Sequence, residues 1–118
     1  MNTVKIFIFL ILFTNCLFAQ NEANIWYFGN NAGIDFNQSP PVALTNGALS
    51  TQEGCASIAD RSTGQLLFYT DGITVWNSTH SPMPNGTGLF GHFSSSQSAV
   101  IVPMPGDTTR IYIFTADQ

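Results

Sequence analysis

Few side chains in this 118-residue chain could do chemistry. Beyond residue 19 there are one cysteine, Cys55, two histidines, His80 and His92, and seven carboxylates, Glu22, Asp35, Glu53, Asp60, Asp71, Asp107 and Asp117. A cysteine nucleophile needs an activating base within hydrogen-bond reach, and nothing in the spacing supplies one for Cys55. A zinc site needs three or four ligands at characteristic spacings. His80 and His92 lie twelve apart in loop-like sequence, and the third candidate, Cys55, reads as a buried small hydrophobe inside a strand. Glycosidase chemistry needs two carboxylates facing one sugar across about 5 to 9.5 Å. Asp60, Asp71 and Asp107 fall in turns, where aspartate caps the local backbone, and Glu53 beside Gly54 is the only one without an obvious turn role. Alternating acids of a calcium loop are missing from the sequence. GTGLFG (86–91) matches GxGxxG, but dinucleotide binding needs a strand before it and a helix after it. Here SPMPN precedes and HFSSSQS follows. The expectation is therefore that no residue is catalytic, cofactor-binding or metal-ligating.

The elements that would position these groups read as strands, with no helical periodicity after residue 19. NIWYFG (24–29) is a strand, NNAG turns it and IDF (34–36) returns. GCASIAD (54–60) and LLFYT (66–70) flank RSTG, a short hairpin loop in which Gly64 can take positive φ. Asp71-Gly72 suits a two-residue type I′ turn leading into ITVWN (73–77). That turn sets Thr70 opposite Ile73, Phe68 opposite Val75 and Leu67 opposite Trp76. Phe68, Thr70, Ile73 and Val75 then share one face, and Leu67, Tyr69, Thr74 and Trp76 the other. Both faces are bulky, so another layer must cover each.

A repeat suggests the layers. CASIAD (55–60) aligns with SAVIVP (98–103), and LFYT (67–70) with YIFT (112–115), at offsets of 43 and 45. The difference is a longer loop, MPGDTTR, in the second copy. A period in the low forties with several short strands fits a β-propeller blade. The fold expected is all-β, with antiparallel hairpins forming one to two blades of an incomplete propeller. A β-sandwich with two similar hairpins is the alternative.

The first nineteen residues differ from the rest. Lys5, an apolar run over 6–13 and Ala19 have the order of a secretory signal peptide. The run is shorter than the about 20 residues of a spanning helix, so no membrane span is expected after cleavage. Cys16 raises a lipoprotein anchor, but FTNC is a poor lipobox, and Leu17 is not the small residue favoured three places before the cut. Residues 20–118 would form the mature chain, with seven acids against two bases, Arg61 and Arg110. Such a surface has no basic patch for nucleic acid. Charge is sparse and Asn, Ser, Thr, Gln and Gly carry solubility.

The segments NIWYFGNNAGIDF, ALTNGALSTQEGCASIAD, GQLLFYTDGITVWN, MPNGTGLFG and SSSQSAVIVPMPG together resemble the start of large secreted Bacteroidetes proteins. Those proteins carry a gliding-motility-associated or type-B C-terminal sorting domain read by the type IX secretion machinery. The resemblance covers nearly all of residues 24–118. It implies an N-terminal propeller, export and surface display, and it carries no catalytic residues across. The sequence ends at RIYIFTADQ without further blades or a sorting tail, which makes it look like a fragment that packs on missing blades of its own chain. Alone, it should expose the edge of 111–115 and the apolar faces around Trp76 and self-associate. The expected role is non-enzymatic binding, adhesion or scaffolding toward a surface glycan or protein, and a propeller-based carbohydrate-active enzyme is the alternative. DTT (107–109) resembles the O-glycosylation site of such secreted proteins, with Thr108 as acceptor. Asn37, Asn77 and Asn85 are N-glycan sequons by pattern.

Overall fold

The computed structural model describes residues 20–117. The leader expected over 1–19, with Cys16, lies outside the described residues. After a 3-10 turn at Asn21–Ala23, nine strands follow among the described residues, in three antiparallel sheets. The first sheet has the order β1 (Ile25–Phe28), β2 (Ala32–Asp35), β3 (Val42–Leu44). The second is a four-stranded meander of β4 (Ala56–Ala59), β5 (Leu66–Thr70), β6 (Thr74–Asn77) and β7 (Pro82–Thr87). The third pairs β8 (Ala99–Pro103) with β9 (Ile111–Thr115). Strands form where β-branched and aromatic residues cluster, and they stop at residues that tolerate left-handed backbone. Asn30 and Asn31, at φ 59° and 62°, turn β1 into β2. Gly64, at φ 71°, closes the β4–β5 loop, where its N–H donates to the Asp60 carbonyl.

The second sheet is the middle layer. On one side Ala59 and Tyr69 are buried against Ile25, Tyr27 and Leu49, and Leu66 and Trp76 pack on the same cluster. On the other side Ile58, Phe68 and Val75 are buried against Ile101, Ile111 and Ile113 of the third sheet. The layers expected from the two bulky faces are therefore present, and no closed ring of blades is formed among the described residues. The faces around Trp76, expected to stand open, are covered by the first sheet.

The β5–β6 hairpin departs from the sequence reading. Its register is Phe68↔Asn77, Tyr69↔Trp76 and Thr70↔Val75, so four residues, 71–74, separate the last cross-strand pair and Ile73 is outside the strand. Side chains explain the longer loop. The Asp71 carboxylate accepts from the N–H groups of Ile73 and Thr74, at 2.9 and 2.8 Å. Thr70 Oγ1 donates to the Thr74 carbonyl at 2.7 Å and accepts from Gly72 N–H. These bonds hold a wider turn than Asp-Gly alone would make. Each strand slips by one residue relative to the turn, a combined shift of two, so Phe68 and Val75 still share a face.

A β-bulge makes a second correction. Ile58 pairs with Phe68 but Ala59 pairs with Leu66, which leaves Leu67 as the extra residue. Leu66 takes the place toward the first sheet that the reading gave to Leu67, and Leu67 is 39% exposed. Two strands were missed. β7 contains Pro82 and Pro84, residues that read as loop but are tolerated on an edge strand, where a missing N–H breaks no ladder. β3, only three residues long, follows the polar, proline-rich stretch 37–41.

The two repeats have equivalent hairpins. Ala56↔Thr70 and Ile58↔Phe68 in the second sheet correspond to Ala99↔Thr115 and Ile101↔Ile113 in the third. These equivalent faces meet each other, since Ile58 and Phe68 pack on Ile101 and Ile113. One corner closes tightly: Ser98 Oγ donates to the Gly54 carbonyl at 2.6 Å, and Gly54 N–H donates to Ser95 O. Ser98 is fully buried, and its carbonyl lies against Gly72, which has φ 89°.

Two truncations separate the observed packing from the simple alternation. Phe68→Ala should lower unfolding free energy by about 3–5 kcal/mol, as for other buried phenylalanines. Leu67→Ala should change it by less than about 1 kcal/mol. Urea unfolding of the two variants checks this, and equal losses would restore Leu67 to the core.

Candidate functional site

The densest polar cluster joins the first and second sheets around His80. Asn77 builds the turn that presents it. Asn77 Oδ1 accepts from Thr79 N–H, Thr79 Oγ1 and Ser81 N–H, and His80 follows at φ 63°. The imidazole lies against the Tyr27 ring edge to face, with centroids 5.4 Å apart. Tyr27 stacks on Tyr69 at 4.6 Å, and Tyr69 on Trp76 at 5.6 Å. Such pairs contribute about 0.5–1.5 kcal/mol beyond area burial.

Hydrogen bonds close the cluster. Tyr27 Oη donates to Asn46 Oδ1 at 2.9 Å, and Asn46 Nδ2 lies 2.9 Å from His80 Nε2. His80 Nδ1 lies 3.0 Å from Tyr69 Oη, which accepts the Ala48 N–H at 2.8 Å. With Asn46 Oδ1 taken by Tyr27, its amide donates to Nε2, and the imidazole proton is assigned to Nδ1. Both ring nitrogens are thus engaged by protein groups. Burial raises the pKa of both tyrosines, and for Tyr27 the neighbouring Tyr69 adds to the rise. Both phenols stay protonated hydrogen-bonding groups at neutral pH. The cluster ties the 45–49 segment, with its fully buried Leu49, onto the second sheet. Its chemistry is that of a structural clamp. The sequence reading missed it, although Asn77, three residues before His80, and the NG pair at 46–47 marked both of its turns.

The other candidates are scattered. Cys55 stands one residue before β4, half-buried on the first-sheet cluster, not within a strand. Burial pushes its thiol pKa up, and the Asp71 charge adds to this. His92 Nδ1 takes up Ser94 Oγ at 3.0 Å within its own loop. His80, His92 and Cys55 form no metal-binding group among the described residues. The first two residues of GTGLFG end strand β7, contrary to expectation, but 92–98 is turn and irregular chain, not helix. Its glycines serve the loop: Gly88 has φ 74°, and Gly91 N–H donates to Gly72 O.

The turn aspartates behave as read. Asp60 Oδ1 accepts from Ser62 N–H, Thr63 N–H and Thr63 Oγ1. Asp107 Oδ1 accepts from Thr109 N–H and Oγ1, and Oδ2 from Arg110 Nε at 2.7 Å. Asp35 holds Asn37 N–H and Nδ2. All three carboxyls are held below the usual value, chiefly by the Asn37 N–H, the Thr63 N–H and the Thr109 hydroxyl respectively. Asp60 and Asp107 line one groove of about 580 Å³ together with Arg61 and Arg110, yet each carboxylate is held by its own turn. Glu53 is exposed. A second groove, about 410 Å³, lies where β1, β4 and β8 run side by side, walled by Trp26, Phe28, Ile101 and Pro103, with Glu22 at its margin. Thr108 is exposed in the β8–β9 loop. Asn37 is occupied through both side-chain atoms, donating to Gly64 O and accepting from Asn24.

No family model matches the chain, and neither a curated protein nor a solved structure matches it. No helix among the described residues is long and apolar enough to cross a membrane.

Two solution measurements follow from this chemistry. In a Cys16→Ser chain, Cys55 should alkylate with iodoacetamide at pH 7.5 at least about tenfold more slowly than an unfolded-chain cysteine, because the thiolate is the nucleophile. Urea should abolish the difference, and equal rates before and after unfolding would contradict the burial. The lowered carboxyl pKa values of Asp35, Asp60 and Asp107 stabilise the fold above the unfolded value near 3.8. That contribution is lost as pH falls through the lower folded values. The melting temperature should therefore decline below about pH 4, and should decline less in Asp60→Asn.

Proposed function

We propose that this chain is a non-enzymatic binding or scaffolding element of an exported, surface-displayed protein. The carrying observation is the stack of three antiparallel sheets, in which the bulky aromatic and aliphatic groups of the middle layer serve packing on both faces. The reactive groups are engaged too: His80 in a clamp, and Asp35, Asp60, Asp71 and Asp107 in turns. Ligand contact is thereby left to loops and grooves, with a surface glycan or protein as the partner.

The layering suits blades of a propeller, since consecutive blades cover each other face to face and the first strands of the sheets, β1, β4 and β8, run together. Among the described residues two end faces remain apolar and open. The first sheet shows Trp26, Phe28 and Phe36, and the third shows Val100, Val102, Tyr112 and Phe114. Further blades of the same kind would cover them. A second reading, the β-sandwich, is favoured by the contact of equivalent faces between the second and third sheets, because consecutive blades present unlike faces to each other.

Export is tested by expressing the chain in a bacterium with a type IX pathway and sequencing the N-terminus of the surface-shaved product. The reading expects a start at Gln20, accessibility to external protease, and glycan or protein capture without turnover of chromogenic glycosides. Retention in the cytosol with residues 1–19 intact would refute export, and glycoside turnover would transfer the chain to the enzyme alternative. Peptide mapping of the same material reads Thr108, where a hexose-containing mass shift is expected.

A further inference from the structure

The groove of about 580 Å³ between the β4–β5 and β8–β9 loops owes its floor to the β-bulge. In a regular strand Leu66 shares the face of Phe68 and points at the third sheet. The extra residue, Leu67, reverses that parity, so Leu66 packs toward the first sheet instead. The place it vacates lies beside Ile58 and Ile111, and these two line the groove together with Leu67. The equivalent hairpin of the third sheet pairs without a break from Ala99↔Thr115 to Pro103↔Ile111. The bulge therefore belongs only to the hairpin under the groove, and bulges re-aim side chains beside functional sites.

The two loops add polar atoms that are already oriented. Asp60 closes its turn through Oδ1, and Oδ2 has no partner among the described residues. With the Gln20 amide donating to Glu22, its oxygen accepts from Arg61 Nη2 at 3.1 Å. Arg110 is tied to Asp107 through Nε, which leaves its two terminal nitrogens as a directed donor pair. Two guanidinium groups stand among three carboxylates, Glu22, Asp60 and Asp107, so the rim has no field of one sign to hold an ion. An aliphatic floor inside such a rim suits a ligand with an apolar face and hydroxyls that both donate and accept.

We propose that this groove binds a neutral oligosaccharide. The C–H face of one pyranose ring lies on Leu67 and Ile111, and its hydroxyls bridge Asp60 Oδ2 and the Arg110 terminal nitrogens. This rests on the binding reading above and gives it a ligand class and a place.

The test titrates the isotope-labelled full chain with cellotriose, mannotriose and chitotriose and follows the backbone amides by NMR. At least one of these sugars should shift the amides of 60–64 and 106–110 together. Arg110→Lys keeps the charge and loses the paired donors, so it should weaken that binding about tenfold. Leu67→Trp fills the groove from an exposed position and should abolish binding with the urea midpoint unchanged. Undiminished binding in either folded variant overturns the proposal. It is overturned as well if none of the sugars shifts both loops, or if only trigalacturonate or the peptide acetyl-Ala-Leu-Ala-amide does. Sugar shifts confined to the groove beside β1, β4 and β8 also overturn it, while leaving the binding reading intact. Glycoside turnover by a chain that meets the expected shifts refutes the non-enzymatic reading and keeps the ligand. Should Leu67→Trp unfold, Arg110→Lys decides.

Discussion

The burial of both faces of β5 governs this structure. A five-residue strand that hides Phe68 and Thr70 on one side and Tyr69 on the other cannot end a sheet stack. It forces a layer above and a layer below. Each neighbour then inherits a half-satisfied condition, with isoleucines turned inward and aromatic or valine side chains left outward. Near-complete removal of a large side chain from water contributes about 1.5–3 kcal/mol, so the middle layer supplies much of what holds three small sheets together. The third sheet, with two strands, has too few to stand alone in water.

Polar contacts decide how the layers align. Between the first and second sheets Ser57 bridges β1 and β4 without a ladder, donating to Ile25 O and accepting from Tyr27 N–H. The Tyr27–Asn46–His80–Tyr69 ring adds the segment that follows β3. Tyr27 and Tyr69 are its buried members, whereas Asn46 is exposed and His80 half-buried, so the cost of an unsatisfied group falls on the tyrosine side of the ring. His80 turns both ring nitrogens, and Tyr27 its hydroxyl proton, to protein groups, which gives this region rigidity at the expense of reactivity.

Much of the fold was legible because it rests on local chemistry. LLFYT was found to the residue, and the β4–β5 loop follows from Gly64 and Asp60. The hairpin faces survived an incorrect turn because a combined slip of two keeps parity. What failed depended on side chains that reach beyond their neighbours. Asp71 and Thr70 together widen a turn that Asp-Gly alone would make tight. The bulge at Leu67 reverses which leucine is buried, and no pattern in LL distinguishes them. Prolines masked β7, because a sequence does not state which strand is an edge. The repeat predicted equal hairpins but not that their equal faces would meet. The site was least legible: Tyr27, Asn46, Tyr69 and His80 come from four separate segments, and none has a motif.

The Ser98–Gly54 corner has a consequence for the route to this structure. Its hydrogen bond joins residues 44 apart, whereas the hairpins on either side close short loops. Loop-closure entropy rises with length, and non-local pairings set the slow step of β-protein folding. The hairpins can zip independently, but the third sheet acquires its place only when a buried serine finds the backbone between two glycine-lined turns. A chain in which that corner has not closed keeps the inner face of the third sheet, with Ile101, Ile111 and Ile113, undocked.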